Sequence, residues 1–429
     1  MFGRQLPEIV TARVPGPESE RWVERLARTE CPSLTMRRAR RAERSGASHD
    51  PIVWARAAGA NVEDADGNVY VDLIGAFSVC AVGHAHPRVV EAAQRQVALL
   101  PHALGDVHPS VAKLELLDRL ADWVPFDARI ILGLNGADAI AAALKTAVLK
   151  TGRPGVVAFE GGYHGLMYGP LAVCGSHPGF REPFAEQLNP HVRFLPYGDA
   201  AALADGVDES IGAVVVEPAL GRGGLVFPPD GFLAAVSARA REVGALVVAD
   251  EIFTGFGRTG VRFAFEGAFE PDVLCVGKAL GGGLPISACI GTAEVMQAWG
   301  DPDREAIHTA TFAGSPVSCA AACAALDVLE EEDLIRRSRE VGARWLGELR
   351  AALGDRVTDV RGRGLMIAVE LASGERAGRV TQALLSRGWL VLGAGPGGRS
   401  LQLTPPLNID EALLRGFTRA LVETVEATP

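Results

Sequence analysis

At 429 residues the chain exceeds one ordinary domain and fits a large domain with a smaller companion. Its 48% hydrophobic and 22% charged residues are a globular balance, and a net charge of −10 lacks the basic footprint of a nucleic-acid binder. No stretch approaches the ~18 apolar residues of a membrane span, and seven cysteines without a Cys-x-x-Cys pair read as reduced thiols in a cytoplasmic protein with no structural metal.

The first ~30 residues carry prolines and no clean period, as an arm or a lead-in helix does. The run Arg37, Arg38, Arg40, Arg41 and Arg44 reads as a solvated or subunit-facing helix surface. A twin-arginine export signal would need an apolar stretch next, and 43–50 is polar. Two alternating runs around Asp66-Gly67-Asn68 predict a hairpin over 60–72. From about Asp127, short apolar runs at 130–134, 155–159, 213–216, 246–249, 273–276 and 286–291 alternate with helical segments such as 136–150 and 232–243. Continuous apolar runs are strands buried on both faces, so this stretch reads as a mostly parallel, doubly wound α/β sheet. After Pro316 a long helix is expected through 320–332. It is followed by an α+β unit with helices at 334–353 and 380–387, a strand at 367–371 and a last helix from Asp410. The expected division is 1–75 as arm and part of the small domain, 76–315 as the large domain, and 316–429 as the rest of the small domain.

Ligands of open α/β sheets bind beyond the carboxyl ends of the strands. Here those ends carry Asn135-Gly136-Ala137, the Glu160–Gly165 segment, Glu217-Pro218, Asp250-Glu251 and Gly277-Lys278. A lysine ending a buried strand must be paired, neutral or covalently used, and a lowered pKa would let it form a Schiff base. The bland alternative for Lys278 is a surface lysine, and for Asp250 a turn cap. Gly136 and Ala137 open a helix whose free N–H groups suit a phosphate. Tyr163, followed by His164 and Gly165, is placed to stack on a flat ring or to fill the core.

Together these segments resemble the class III (omega) aminotransferases, pyridoxal 5′-phosphate (PLP) enzymes of fold type I. The resemblance runs from about Pro15 to Leu407. It is carried by Asp250-Glu251-Ile252-Phe253 through Gly260, Pro271-Asp272 through Lys278 to Pro285, Thr311-Phe312-Ala313-Gly314-Ser315-Pro316, and Arg361-Gly362-Arg363-Gly364-Leu365-Met366. It implies that Lys278 forms the Schiff base and moves the proton, and that Asp250 pairs with the pyridine nitrogen. It places Tyr163 and Ile252 on the two ring faces and His164 among the cofactor residues. Gly136 and Ala137 would donate to the phosphate, and Glu217 would hold the hydrogen-bond network from behind. Thr311 would reach the phosphate of a neighbouring subunit, which implies a homodimer with shared active sites.

Several positions depart from that pattern. The phosphate turn is Asn135-Gly136-Ala137 where the family often has Ser-Gly-Thr, and Phe253 stands where a glutamine is common. Leu166 stands where aminobutyrate enzymes have an arginine, and Gln402 where many members have another. The run Glu217-Pro218-Ala219-Leu220-Gly221-Arg222-Gly223-Gly224 puts Arg222 at a position usually held by glutamate. Arg222 is therefore expected to bind the carboxylate of an amino acid or keto acid, with Gln402 beside it. Phe77 and Tyr163 would line a pocket for a hydrophobic or aromatic amine. A racemase, aminomutase or decarboxylase on the same scaffold stays open from sequence, as does a PLP-holding protein without turnover. Gly281-Gly282-Gly283 does not fit nucleotide-binding spacing.

Overall fold

The computed structural model describes residues 2–33, 36, 39–40, 43, 51–301, 303 and 305–428. Of the basic run, Arg37, Arg38, Arg41 and Arg44 lie outside the described residues, so the reading of that run as a helix surface lies largely outside them too; Arg40 is exposed.

The chain forms two compact units, one of Met1–His86, Arg258–Gly260 and Leu334–Pro429, the other of Pro87–Gly257 and Val261–Asp333. The first is α+β. Trp54–Ala58, Asn61–Asp64 and Val69–Asp72 pair antiparallel in sequence, and Trp389–Leu390 joins the last of them in parallel. The expected hairpin is present, and its turn is tied by one carboxylate. Asp64 accepts from the backbone N–H groups of Asp66 and Asn68, from Asn68 Nδ2, and from the Tyr70 hydroxyl at 2.7 Å. A second, antiparallel sheet joins Asp359–Arg363, Met366–Glu370, Ser400–Leu403 and Leu392–Ala394. The helices of this unit include Pro17–Thr29, Leu334–Leu353, Gly374–Ser386 and Glu411–Ala427. Phe417 packs edge-on against both Trp345 and Trp389.

The second unit is built on seven strands: β1 Ala128–Gly133, β2 Gly155–Phe159, β3 Val192–Leu195, β4 Ile211–Val216, β5 Leu246–Asp250, β6 Val273–Val276 and β7 Ser287–Thr292. Their order is β1-β7-β6-β5-β4-β2-β3, and only β7 runs against the rest. The expected mostly parallel sheet is therefore observed, with all six parallel carboxyl ends on one edge. The unit's long helices are α1 Pro87–Leu99, α2 Val111–Trp123, α3 Gly136–Thr151, α4 Phe232–Glu242 and α5 Pro316–Glu331.

Apolar runs dictate the central strands, since every residue of β2, β4, β5 and β6 is buried. Strand β3 carries no such run: it is half-buried throughout and lies at the sheet edge. Strand β1 stops at Gly133 because Leu134 turns its N–H to Asp138 Oδ2 at 3.0 Å. Alanines 139, 142, 143 and 147 give α3 a small face that lies flat on Val156, Ala158, Val215 and Val248. Cys319 is buried on α5 and Cys323 half-buried, and the described cysteines are all free thiols. Helix α5 groups with the large unit, packing on α1 and α2. Arg88 reaches Glu331 at 2.6 Å, and Arg119 reaches Asp327 and Glu330 at 2.6 and 2.7 Å.

Phe159 at the end of β2 is 1% exposed and meets Tyr197 and Phe232 edge-on. Phe159→Ala is expected to lower the unfolding free energy by about 3–5 kcal/mol, read as a lower denaturant midpoint. A loss within the ~0.5 kcal/mol of an ordinary surface change would contradict this packing.

Candidate active site

Five parallel strands deliver side chains to one cavity of about 270 Å³ in the large unit. Asn135, Gly136 and Ala137 follow β1; Tyr163, His164, Gly165 and Leu166 follow β2; Glu217 and Arg222 follow β4. Asp250 ends β5 with Ile252 and Phe253 after it, and Lys278 follows β6. Two glycines make the close approach possible. A Cβ on Gly165, whose φ is +113°, would stand 2.5 Å from the Cβ of Ala137, and one on Gly136 would stand 2.8 Å from Ile252 Cδ1. The loop after β2, the start of α3 and the turn after β5 are thus in direct contact.

Helix α3 begins under a side-chain cap, Asn135 Oδ1 accepting from Asp138 N at 3.1 Å. The N–H groups of Gly136 and Ala137 have no partner among the described residues. They point out of the start of a 16-residue helix.

Asp250 is 3% exposed and is held from two sides. His164 Nδ1 lies 2.7 Å from its Oδ2, and Ile252 N donates to its Oδ1 at 3.0 Å. Burial disfavours a protonated imidazole at His164, but the hydrogen bond and charge of Asp250, with Glu217 beyond, outweigh it and raise the pKa. His164 and Asp250 therefore form one buried imidazole–carboxyl pair, 2.7 Å apart.

Glu217 is 5% exposed and binds two backbone amides, Tyr163 N and Gly221 N, each at 2.8 Å. Burial pushes its carboxyl up, against the lowering charge of His164 and with the raising charge of Asp250. Tyr197 donates its hydroxyl to the Glu217 carbonyl at 2.9 Å and fixes the end of β4.

Lys278 has φ +42°, in the left-handed region that costs an L-residue about 1–2 kcal/mol. Strain of this kind persists where surrounding structure forces it and gathers at functional sites. The backbone is held there by Leu280 N donating to Gly277 O at 3.0 Å. The side chain is half-buried, with Nζ 4.3 Å from the centre of the Phe253 ring. Burial lowers its pKa to about 8; Asp250 and Glu217 pull it up, and Arg222 pushes it down.

The cavity thus brings together Lys278, Asp250, Gly136, Ala137, Tyr163, His164, Glu217, Ile252 and Arg222 from the sequence-based set. Thr311 is exposed and is not among its lining residues. Phe77 and Gln402 belong to the smaller unit. Phe77 is 60% exposed with φ +61°, and Gln402 is buried and donates to Thr404 Oγ1 at 3.2 Å. Two contacts escape sequence reasoning. One is Phe253 under the Lys278 amine, foreshadowed only by the missing glutamine. The other is the Arg222 guanidinium 4.4 Å from the centre of the Tyr163 ring, between residues 59 apart in the chain.

In cofactor-free protein, reductive methylation of Lys278 with formaldehyde, followed by mass spectrometry, is expected to be half-maximal near pH 8. The sign is that of a depressed amine: neutral and reactive above about 8, protonated below. Asp250→Asn removes a charge that raises this pKa and should move the midpoint to lower pH. A midpoint at the ordinary lysine value of ~10.4 would contradict the site geometry.

Residues 43–425 match the family described as Aminotransferase class-III. The acetylornithine aminotransferase of Methanopyrus kandleri is 39% identical over 385 residues, which covers 89% of this chain and 95% of the relative. That of Streptomyces coelicolor is 40% identical over 379 residues, covering 86% and 90%. The ornithine aminotransferase of Toxoplasma gondii ME49 has a TM-score of 0.86 at 29% identity, with 96% of each chain covered. A second ornithine aminotransferase structure from that parasite, with a TM-score of 0.85 at 29% identity over 95% of this chain and 94% of that one, is described as having partial occupancy of PLP at the active site. With this extent of likeness and this fold, the chain belongs to the class III aminotransferases, PLP-dependent enzymes that transfer amino groups.

Proposed function

We propose that Lys278 is the amine that holds the PLP carbonyl and moves the proton in each half of the transfer. The observation that carries this reading is the half-buried Lys278 amine, with its pKa near 8, facing the cavity that also holds the Asp250–His164 pair. The surrounding residues fit the cofactor. Two unpartnered amides at Gly136 and Ala137 suit a phosphate, the Asp250 side chain suits a pyridine nitrogen, and Tyr163 and Ile252 offer walls for a flat ring. When bound, PLP supplies the carbonyl that takes the substrate nitrogen and a ring that accepts the electron pair freed when a bond to the substrate carbon breaks.

The residues divide the remaining work. Lys278, neutral in part near physiological pH, takes the proton from the carbon bearing nitrogen and returns it on the other side of the exchange. Asp250 is held in place, with His164 Nδ1 against one oxygen and Ile252 N donating to the other. Glu217 is a positioning residue: it touches the backbone of both Tyr163 and Gly221. Phe77 and Gln402 stay candidates for substrate binding on residue type alone.

The donor is an amine or amino acid and the acceptor a keto acid or aldehyde. The relatives' name offers a class of donor, since acetylornithine carries a carboxylate as well as an amine. The active unit in this reading is a cytoplasmic homodimer in which Thr311 serves the partner's phosphate. Its support is an apolar surface that a second copy would cover. Val97, Leu99, Leu104, Val107 and Val111 around α1 and α2, and Phe312 beside Thr311, are each more than 50% exposed.

Lys278→Arg keeps the charge and removes the usable amine, and should lower kcat by about 10²–10⁴-fold in a coupled amino-transfer assay. Lys278→Ala at wild-type rate would overturn the reading. In sedimentation the protein should run as a dimer, and Thr311→Ala should lose PLP faster on dialysis without dissociating. A monomer with full activity would contradict the shared site.

A further inference from the structure

The basic side chains lining the cavity are Lys278, His164 and Arg222. His164 is matched by Asp250, and Lys278 is the amine assigned above to the cofactor. Arg222 is exposed and is in no ion pair among the described residues; its one described contact is the face of the Tyr163 ring, 4.4 Å from the centroid. It is nevertheless not a loose side chain on a loose loop. Leu220 and Val226 close the loop with paired backbone hydrogen bonds of 2.9 and 3.2 Å, and Leu225 N donates back to Gly221 O at 3.2 Å. The Glu217 carboxylate binds Gly221 N, next to Arg222, with one oxygen and Tyr163 N with the other, both at 2.8 Å. One buried carboxyl therefore ties the backbone of Tyr163 to the backbone next to Arg222, the two residues whose side chains stack. Stacking on an aromatic face leaves the guanidinium edge and its donors open to a planar anion.

We infer that Arg222 is a pre-positioned carboxylate anchor, held on Tyr163 by the Glu217 bracket, and that the amino donor and the keto acceptor use it in turn. The inference rests on the assignment of Lys278 above. Both half-reactions must bring their reacting carbon to the same lysine, and a guanidinium fixed in place offers both the same span from that carbon to the carboxylate. The substrates are then an amino acid and a keto acid with matching separations between carboxylate and reacting carbon. Neutral amines and aldehydes are poor partners because they leave Arg222 without an anion. Leu166, 47% exposed on the same wall, gives this part of the cavity an apolar flank rather than a second cation.

The test uses the holoenzyme with two matched sets of probes: alanine against benzylamine as donors, and pyruvate and 2-oxoglutarate against benzaldehyde as acceptors. For Arg222→Gln, KM for the carboxylate probes should rise about 10- to 100-fold, the loss of one charge-assisted pair, while kcat and the KM of the neutral probes move far less. Arg222→Lys should recover part of the lost affinity by keeping the charge, and the bound-cofactor absorbance should match wild type in both variants. Unchanged KM for every carboxylate probe overturns the inference. An equal rise for benzylamine and benzaldehyde overturns it too, since Arg222 would then act only by steadying Tyr163. A wild type that exchanges amino groups only between neutral amines and aldehydes overturns it while leaving Lys278 in place. A wild type inert to every amine overturns both.

Discussion

A carboxylate at the end of a buried strand must be neutralised or held, and the contact between Asp250 and His164 does this for the whole site. An unpaired buried charge costs several kcal/mol. Here the two partners, 86 residues apart, meet at 2.7 Å with almost no exposure. They meet only because β2 and β5 run the same way in one sheet, with β4 between them, so that the loops after them share an edge. The same direction of travel brings Glu217 from β4 and Lys278 from β6 to that edge. Reversing any one of these strands would send its functional residue to the opposite side of the layer.

The electrostatics of the cavity follow from this arrangement. Two buried acidic side chains and one amine are each satisfied in a different way. Asp250 has an imidazole and an amide, Glu217 has two amides, and Lys278 has the open cavity and an aromatic face. Burial raises the carboxyl of Glu217 and lowers the amine of Lys278. The result is a lysine able to act as a base near neutrality beside an anchored Asp250 side chain, a division of roles that suits proton transfer at a carbon. Local geometry supports it at some cost, since Lys278 sits in a strained backbone region and Gly136 and Gly165 are bare so that neighbouring loops can touch.

Much of this was legible in the residues themselves. Strands β2, β4, β5 and β6 declare themselves as unbroken apolar runs because both faces are covered, and the polar groups that end them mark the edge where chemistry sits. Edge strand β3 was not legible, since half-buried residues around Arg193 carry no apolar signal. Helix α5 was expected to belong to the small domain, set at 316–429, yet its alanine- and cysteine-rich face packs on α1 and α2. The pairings inside the site were hidden for a different reason. Residue types and motif order bring Tyr163, Glu217 and Arg222 to mind separately, but no local pattern says that one carboxylate grips the backbone of the first and the loop of the third. Phe253 reads in sequence only as the loss of a glutamine; in the fold it is the surface on which the Lys278 amine rests.

The central claim is that Lys278, of all the lysines, carries the cofactor. Borohydride reduction of the holoenzyme locks the nitrogen–carbon bond between lysine and cofactor, and peptide mapping by mass spectrometry then locates it. The account predicts a single phosphopyridoxyl group, on the peptide containing Lys278. The label on any other lysine, or its absence from a protein that has retained PLP, would contradict it.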